Sequence, residues 1–267
     1  MTFALPKLSA SILIHLLMLL VGIQIGIYYE SHFQDFYQQH GINYVNIFVN
    51  RSVKPTQSRT FVDISLKYRT DKVTQHQYGW IYEKYLSNLI GTRISLLEIG
   101  LGCSMSYPAG ASAHLWREYF GNLAEIHFLE VDRRCGENWF QAYGRKLNVT
   151  IHYGDQADPQ VLQNLSSSTP YFDVIIDDGG HSMKQQITSF TYLLPRLKSG
   201  GIYAIEDLFT SYEPSFGGGY LLNTTTIEMI KSLVDGIQRS SPSFKSSVSQ
   251  RIVSFELTNE ICIFTAK

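Results

Sequence analysis

Two short acidic segments hold the residues of this chain best suited to chemistry. Val174-Ile175-Ile176-Asp177-Asp178-Gly179-Gly180-His181 and Tyr203-Ala204-Ile205-Glu206-Asp207-Leu208 are each an apolar, β-branched run that ends in two adjacent carboxylates. Such runs read as buried parallel strands. In open α/β sheets the carboxyl ends of the strands border the ligand crevice. If these two strands are neighbours, four carboxylates and a histidine meet at one rim. Carboxylates crowded in this way need a cation or shared protons, and a hard divalent metal with oxygen ligands, such as Mg²⁺, meets that need. The plainer alternative is that such acids cap helices or face water. Two strand ends of the same kind, with His181 three residues beyond Asp178, weigh against it.

The elements before these strands indicate a cofactor. Ser95-Leu96-Leu97-Glu98-Ile99-Gly100-Leu101-Gly102 is another buried strand that runs straight into glycines. Gly-x-Gly after a strand lets backbone approach a ligand closely at a helix N-terminus. The third glycine of a dinucleotide fingerprint is missing, because Cys103-Ser104-Met105-Ser106 leads to Tyr107. A carboxylate at Glu98 would repel a pyrophosphate but suits a cationic ligand. The next strand, Ile126-His127-Phe128-Leu129-Glu130-Val131-Asp132, ends in acids suited to ribose hydroxyls. A ligand with a ribose, a positive charge and no phosphate fits: S-adenosylmethionine.

These residues resemble a known family. Glu98-Ile99-Gly100-Leu101-Gly102 is similar to the first motif of class I S-adenosylmethionine-dependent methyltransferases. A closer resemblance is to the metal-dependent sugar O-methyltransferases of macrolide biosynthesis, of the macrocin and mycinamicin type. It rests on Tyr68–Lys72, His76 with Tyr78, Tyr82–Tyr85, Leu97–Gly102, Gly154–Asp158, Ile176–His181, Gly200–Leu208 and Thr210–Tyr212, in the family's order over roughly residues 65–220. The resemblance implies His181 as general base and Asp178, Glu206 and Asp207 as metal carboxylates. It implies a cofactor pocket lined by Glu98, Gly100, Gly102, Glu130, Asp155, Gln156 and Asp177. The fold it implies is α/β and doubly wound, with a mostly parallel, seven-stranded Rossmann-like sheet closed by an antiparallel hairpin. The bulky turn at Cys103–Ser106, Gly180 in place of a common Ser, and an apolar N-terminus depart from the family pattern.

The implied reaction is an SN2 displacement on a sulfonium, in which the acceptor must be aligned with the methyl group. A bound Mg²⁺ orients a diol and acidifies the attacking hydroxyl, and a histidine with a pKa near neutrality takes the proton. His76 is a further histidine within reach of the pocket. N-methylation of an amine or modified peptide, a nicotinamide oxidoreductase and a non-catalytic scaffold are the alternatives. The missing third glycine opposes the oxidoreductase, and both acid pairs with His181 oppose the scaffold.

A net charge of −1 gives no basic field for nucleic acid. The 17 Tyr and 15 Phe could shape a small-molecule acceptor pocket. Cys103, Cys135 and Cys262 are an odd number with no C-x-x-C, which argues against a zinc site or a disulfide framework. Cys103 then reads as a small buried residue.

Ser9 to Tyr29 is nearly all apolar and long enough to span a bilayer. Lys7 precedes it and Glu30 and Asp35 follow it, so the positive-inside rule puts the catalytic domain across the membrane. That predicts a single-pass, type II protein of the secretory pathway, with residues 1–30 as cytosolic tip and anchor, 31–66 as linker and 67–267 as methyltransferase domain. Sequons at Asn50, Asn148, Asn164 and Asn223 would be available for glycosylation. A cleaved signal peptide lacks a clean small-x-small site here. An inverted topology would keep the domain in the cytosol, where S-adenosylmethionine is made.

Helices are predicted over 77–90, 111–120, 185–197 and 225–238, with a turn at Lys198–Gly201. Ser211–Gly219 reads as a flexible loop placed to act as a lid. Arg251–Leu257 and Glu260–Phe264 read as a terminal hairpin.

Overall fold

The apolar runs form the middle of a seven-stranded sheet in the order β3-β2-β1-β4-β5-β7-β6. The computed structural model describes residues 59–267, apart from 104, 106, 107 and 239–246. Arg59–Lys267 is one compact unit. Strands β1 (Ser95–Ile99), β2 (Glu125–Glu130), β3 (Val149–Tyr153), β4 (Phe172–Asp177) and β5 (Leu197–Ile205) run parallel. Strands β6 (Ile252–Leu257) and β7 (Cys262–Ala266) form the antiparallel hairpin, with β7 against β5. Lys198–Gly201, predicted as a turn, belongs to β5, whose register with β4 shifts between Phe172 and Val174.

Alternation along each strand divides the core. Leu96, Val174, Ile176 and Ala204 pack on one face with Phe61, Tyr82 and Trp116. Those come from α1 (Phe61–Tyr68), α3 (Gly79–Leu86) and α4 (Ala111–Phe120), with α2 (Asp71–Thr74) between the first two. Leu97, Ile99, Ile175, Tyr203 and Ile205 pack on the other face with Leu165, Phe190 and Ile230. Helix α5 (Arg133–Trp139) follows β2, and α6 (Pro159–Ser168), α7 (Met183–Leu193) and α8 (Thr226–Gln238) cover that second face. Each large apolar side chain buried here contributes roughly 1.5–3 kcal/mol.

Helix α1 begins in residues read from the sequence as linker and ends at Tyr68, within the predicted methyltransferase domain. Thr60 caps it in a reciprocal box with Asp63. Arg59, Lys67 and Tyr68 all reach Glu118 of α4, which ties α1 to the sheet's first face.

Two expectations are corrected. Among the described residues no helix is long and apolar enough to cross a membrane. The predicted span 9–29 lies outside the described residues, so the transmembrane helix and the type II membrane placement are not carried forward. The use of the sequons rested on that placement and goes with it. Second, Cys103 and Cys135 form a disulfide, with a Cα–Cα distance of 6.0 Å, leaving Cys262 as the odd, buried thiol. The reason is topological: β1 and β2 are parallel neighbours, so the segments leaving them lie side by side. Ser211–Gly219, read as a lid, contains the end of the 3-10 turn Leu208–Tyr212 and the turn Pro214–Phe216. It folds back on itself through Gly218 N to Glu213 O and Gly219 N to Ser211 O.

Candidate active site

The carboxyl ends of β1, β4 and β5 are level. Ile99 pairs with Asp177, and Asp177 with Ile205. Pairing continues one residue further through Asp178 N to Ile99 O at 3.1 Å and Glu206 N to Asp177 O at 3.0 Å. The two acid pairs are therefore neighbours, but the pleat splits them.

Asp177 turns to the second face. It is fully buried and accepts from Gln156 Nε2 at 2.8 Å, from Ser189 Oγ and from Tyr203 OH at 3.2 Å. Burial pushes its carboxyl up to about 6, against the pull of those hydrogen bonds. Asp178 and Glu206 turn to the first face, where Glu98 also lies. Their counter-charge comes from the protein: Lys72 of α2, 0% exposed, lies 2.6 Å from Asp178, 2.8 Å from Glu206 and 3.2 Å from Glu98. Burial alone would lower the Lys72 pKa, but the three carboxylates reverse that and hold it well above the ordinary value. Burial drives Glu98 up to about 7 and Glu206 well above its usual range. The three carboxylates of this cluster thus have a cation built into the protein, one of the two means by which crowded carboxylates are accommodated.

Glu206 also accepts from Tyr82 OH and is 2% exposed. Glu98 accepts from Trp116 Nε1 at 2.8 Å. Neither Glu98 nor Asp177 is among the residues lining the pocket, and Glu98 faces Lys72.

Three side chains remain at the open rim. Asp178, His181 and Asp207 each present one ligand atom, and these atoms all lie within 4.8 Å of one another. His181 Nε2 is 3.3 Å from Asp207 Oδ2 and 3.9 Å from Asp178 Oδ1. They are 16–20% exposed, so solvent or an acceptor can reach them. His181 and Asp207 both hold φ +55°, a left-handed backbone that strained functional sites often keep. Thr210 Oγ1 donates to His181 O at 3.0 Å and to Asp207 O at 2.7 Å, locking the two together. The two carboxylate oxygens in this space suit a divalent cation, and the imidazole nitrogen stands beside them as a proton acceptor.

A pocket of about 190 Å³ opens beside this rim. Gly100, Gly102, Glu130, Asp155 and Gln156 line it, as do Asp178 and His181. Gly100 has φ +96°, and a Cβ there would sit 2.2 Å from Asp178 O, so only glycine allows the turn and the acid strand to meet. Glu130 accepts from Leu101 N at 2.9 Å and Asp132 N at 2.7 Å, which fixes both its oxygens at the pocket edge. Gln156 accepts from Gly180 N at 2.9 Å while donating to Asp177. Asp155 accepts from Ala157 N at 2.8 Å. These residues fit a nucleoside-bearing ligand with hydroxyls for Glu130.

Lys72, Tyr78 and Tyr82 were not singled out from the sequence as site residues. A lone lysine in the short Thr70-Asp71-Lys72-Val73 stretch, close before the aromatic run at Tyr78–Tyr82, was the available signal.

Residues 97–208 match a family described as a methyltransferase domain. The chain is 33% identical over 182 residues to an 8-demethyl-8-alpha-L-rhamnosyl tetracenomycin-C 2'-O-methyltransferase of Streptomyces olivaceus, covering 66% of this chain and 45% of that protein. It is 31% identical over 182 residues to a demethylmacrocin O-methyltransferase of Streptomyces fradiae, covering 66% and 44%. The chain therefore spans less than half the length of these curated relatives. Among solved structures, the MycE methyltransferase of the mycinamycin biosynthetic pathway, in complex with Mg and SAH, superposes with a TM-score of 0.69 at 28% identity, over 78% of this chain and 54% of that one.

Proposed function

We propose, for a chain whose compact unit belongs to the S-adenosylmethionine-dependent methyltransferases of the sugar O-methyltransferase type, that it methylates a hydroxyl of a small-molecule acceptor with the aid of a divalent cation, Mg²⁺ by analogy. The observation that carries this reading is the convergence of Asp178, His181 and Asp207 beside a glycine-bordered pocket. Relatives in secondary-metabolite pathways support a glycoside acceptor.

When bound, S-adenosylmethionine supplies a methyl group on a sulfonium, and the cation supplies the positive charge that acidifies a nearby hydroxyl. The chain's own residues do the rest. Gly100 and Gly102 let backbone approach the methyl donor, and Glu130 holds its ribose hydroxyls. Asp155 and Gln156 close the pocket wall, with Asp177 bracing Gln156 from behind. Asp178 and Asp207 hold the cation. Glu206 and Glu98 stand behind them, their charge met by Lys72. His181 Nε2, 3.3 Å from Asp207 Oδ2, takes the hydroxyl proton.

Calorimetric titration with S-adenosylhomocysteine tests the cofactor half of the reading. Micromolar binding is expected, and Glu130→Ala is expected to weaken it by about 1–3 kcal/mol, the loss typical for hydrogen bonds to a charged group. Binding of NADH with none of S-adenosylhomocysteine would overturn it.

A further inference from the structure

The turn of the β6–β7 hairpin reaches the rim of the site. Glu260 in that turn has φ +64°, the same left-handed backbone as Asp207 and His181. Its carbonyl accepts from Leu208 N at 2.8 Å, the residue after Asp207. Its carboxylate Oε2 lies 2.9 Å from His76 Nδ1. The other side of the same ring, Nε2, lies 3.5 Å from Asp207 Oδ1. The His76 ring stacks on Tyr78, with centroids 4.8 Å apart and planes 13° apart, and Tyr78 OH donates to the same Asp207 Oδ1 at 2.8 Å. One oxygen of Asp207 is thus held from behind by His76 and Tyr78. The other, Oδ2, is left facing His181.

We propose that His76 and Glu260 are positioning residues for Asp207, a Glu260–His76–Asp207 chain that fixes which carboxylate oxygen faces the cation. The proposal rests on the metal-assisted reading above and extends it to a hairpin to which that reading gives no role. An aspartate in a left-handed backbone at a strand end has no regular structure to aim its side chain. The hairpin turn supplies that aim twice, through the Glu260 carbonyl on the backbone and through the Glu260 carboxylate on His76. Partners of this kind behind a ligating carboxylate commonly matter 10–100-fold, in order of magnitude, for metal affinity.

The test uses the full chain and Mn²⁺ alone, followed by electron paramagnetic resonance, with S-adenosylhomocysteine titrated in parallel. His76→Phe keeps a ring on Tyr78 and removes both nitrogens. Glu260→Asn suits the left-handed backbone and is too short to reach His76. Both variants are expected to bind Mn²⁺ about 10–100-fold more weakly than wild type, with S-adenosylhomocysteine affinity unchanged. Glu260→Gln keeps an acceptor oxygen at the right reach and is expected to recover most of the loss. Wild-type Mn²⁺ affinity in both weakened variants overturns the proposal. So does an equal loss of S-adenosylhomocysteine affinity, which would mark a general structural role. A wild-type chain that binds no Mn²⁺ overturns the metal reading itself, and the proposal with it.

Discussion

Lys72 is fully buried, and its ammonium meets the carboxylates of Glu98, Asp178 and Glu206. Breaking a buried ion pair by removing one partner costs about 3–5 kcal/mol, because the charge left behind has no water. Lys72→Met is therefore expected to lower the unfolding free energy by about that amount in urea titrations near neutral pH. The deficit should narrow in acid, where protonated acids need no cation. Wild-type stability at pH 7 would contradict this account of the cluster. Asp177 sets a second pH dependence. Its folded pKa of about 6 lies above the ordinary 3.8, so between those values the folded chain holds a proton that the unfolded chain has released. Its contribution to stability is fully present below pH 3.8 and is lost as pH rises through 6. Asp177→Asn lacks that loss. Its stability relative to wild type is expected to rise by about 2 kcal/mol between pH 4 and pH 7, and a flat difference would refute the assignment. The acids themselves were legible in the sequence as strand ends. Their partition was not, because it follows from the pleat: Asp177 and Asp178 leave β4 on opposite faces, and only Asp178 faces Lys72.

At the scale of elements, β1 to β5 and α4 were readable because their apolar runs and flanking glycines are strong signals. Helix α4 spans Ala111–Phe120 as expected, and Ser182 caps α7 directly after His181. Helix α1 was missed although Thr60-Phe61-Val62-Asp63 carries its capping box, because a polar, mixed stretch after an apolar segment reads as linker. Helices α5 and α6 have similar marks, an Asp132 cap and an Asp158 cap before Pro159. The Cys103–Cys135 bridge could not be read from spacing, since it needs the β1–β2 adjacency. It ties the glycine turn to the start of α5 across a separation of 32 residues. Loop-closure entropy assigns a bridge of this span about 2–4 kcal/mol. The Cys103→Ser, Cys135→Ser double variant is expected to lose that stability and to bind S-adenosylhomocysteine more weakly, because Cys103 lines the pocket. Dithiothreitol should weaken wild type toward the variant and leave the variant unchanged. A variant as stable as wild type, and as tight for the ligand, would contradict a structural role for the bridge.

For the whole molecule, hydropathy and local pattern pointed to two conclusions of unequal fate. The doubly wound sheet follows from alternating strands and helices, and the order β3-β2-β1-β4-β5-β7-β6 puts its three central carboxyl ends at one site. The membrane anchor followed from the apolar length and flanking charges of residues 9–29, which lie outside the described residues, and no described helix could cross a membrane. The central claim is that this chain moves a methyl group from S-adenosylmethionine to a hydroxyl with help from a divalent cation at Asp178 and Asp207. The direct measurement follows label from methyl-tritiated S-adenosylmethionine into a panel of hydroxyl-bearing glycosides. It compares excess Mg²⁺, excess EDTA and Mg²⁺ restored after EDTA, with S-adenosylhomocysteine binding checked in each. Transfer in Mg²⁺, none in EDTA, recovery on restoring Mg²⁺ and binding preserved throughout are expected. Transfer at full rate in excess EDTA, or at full rate by Asp207→Ala, would contradict the account.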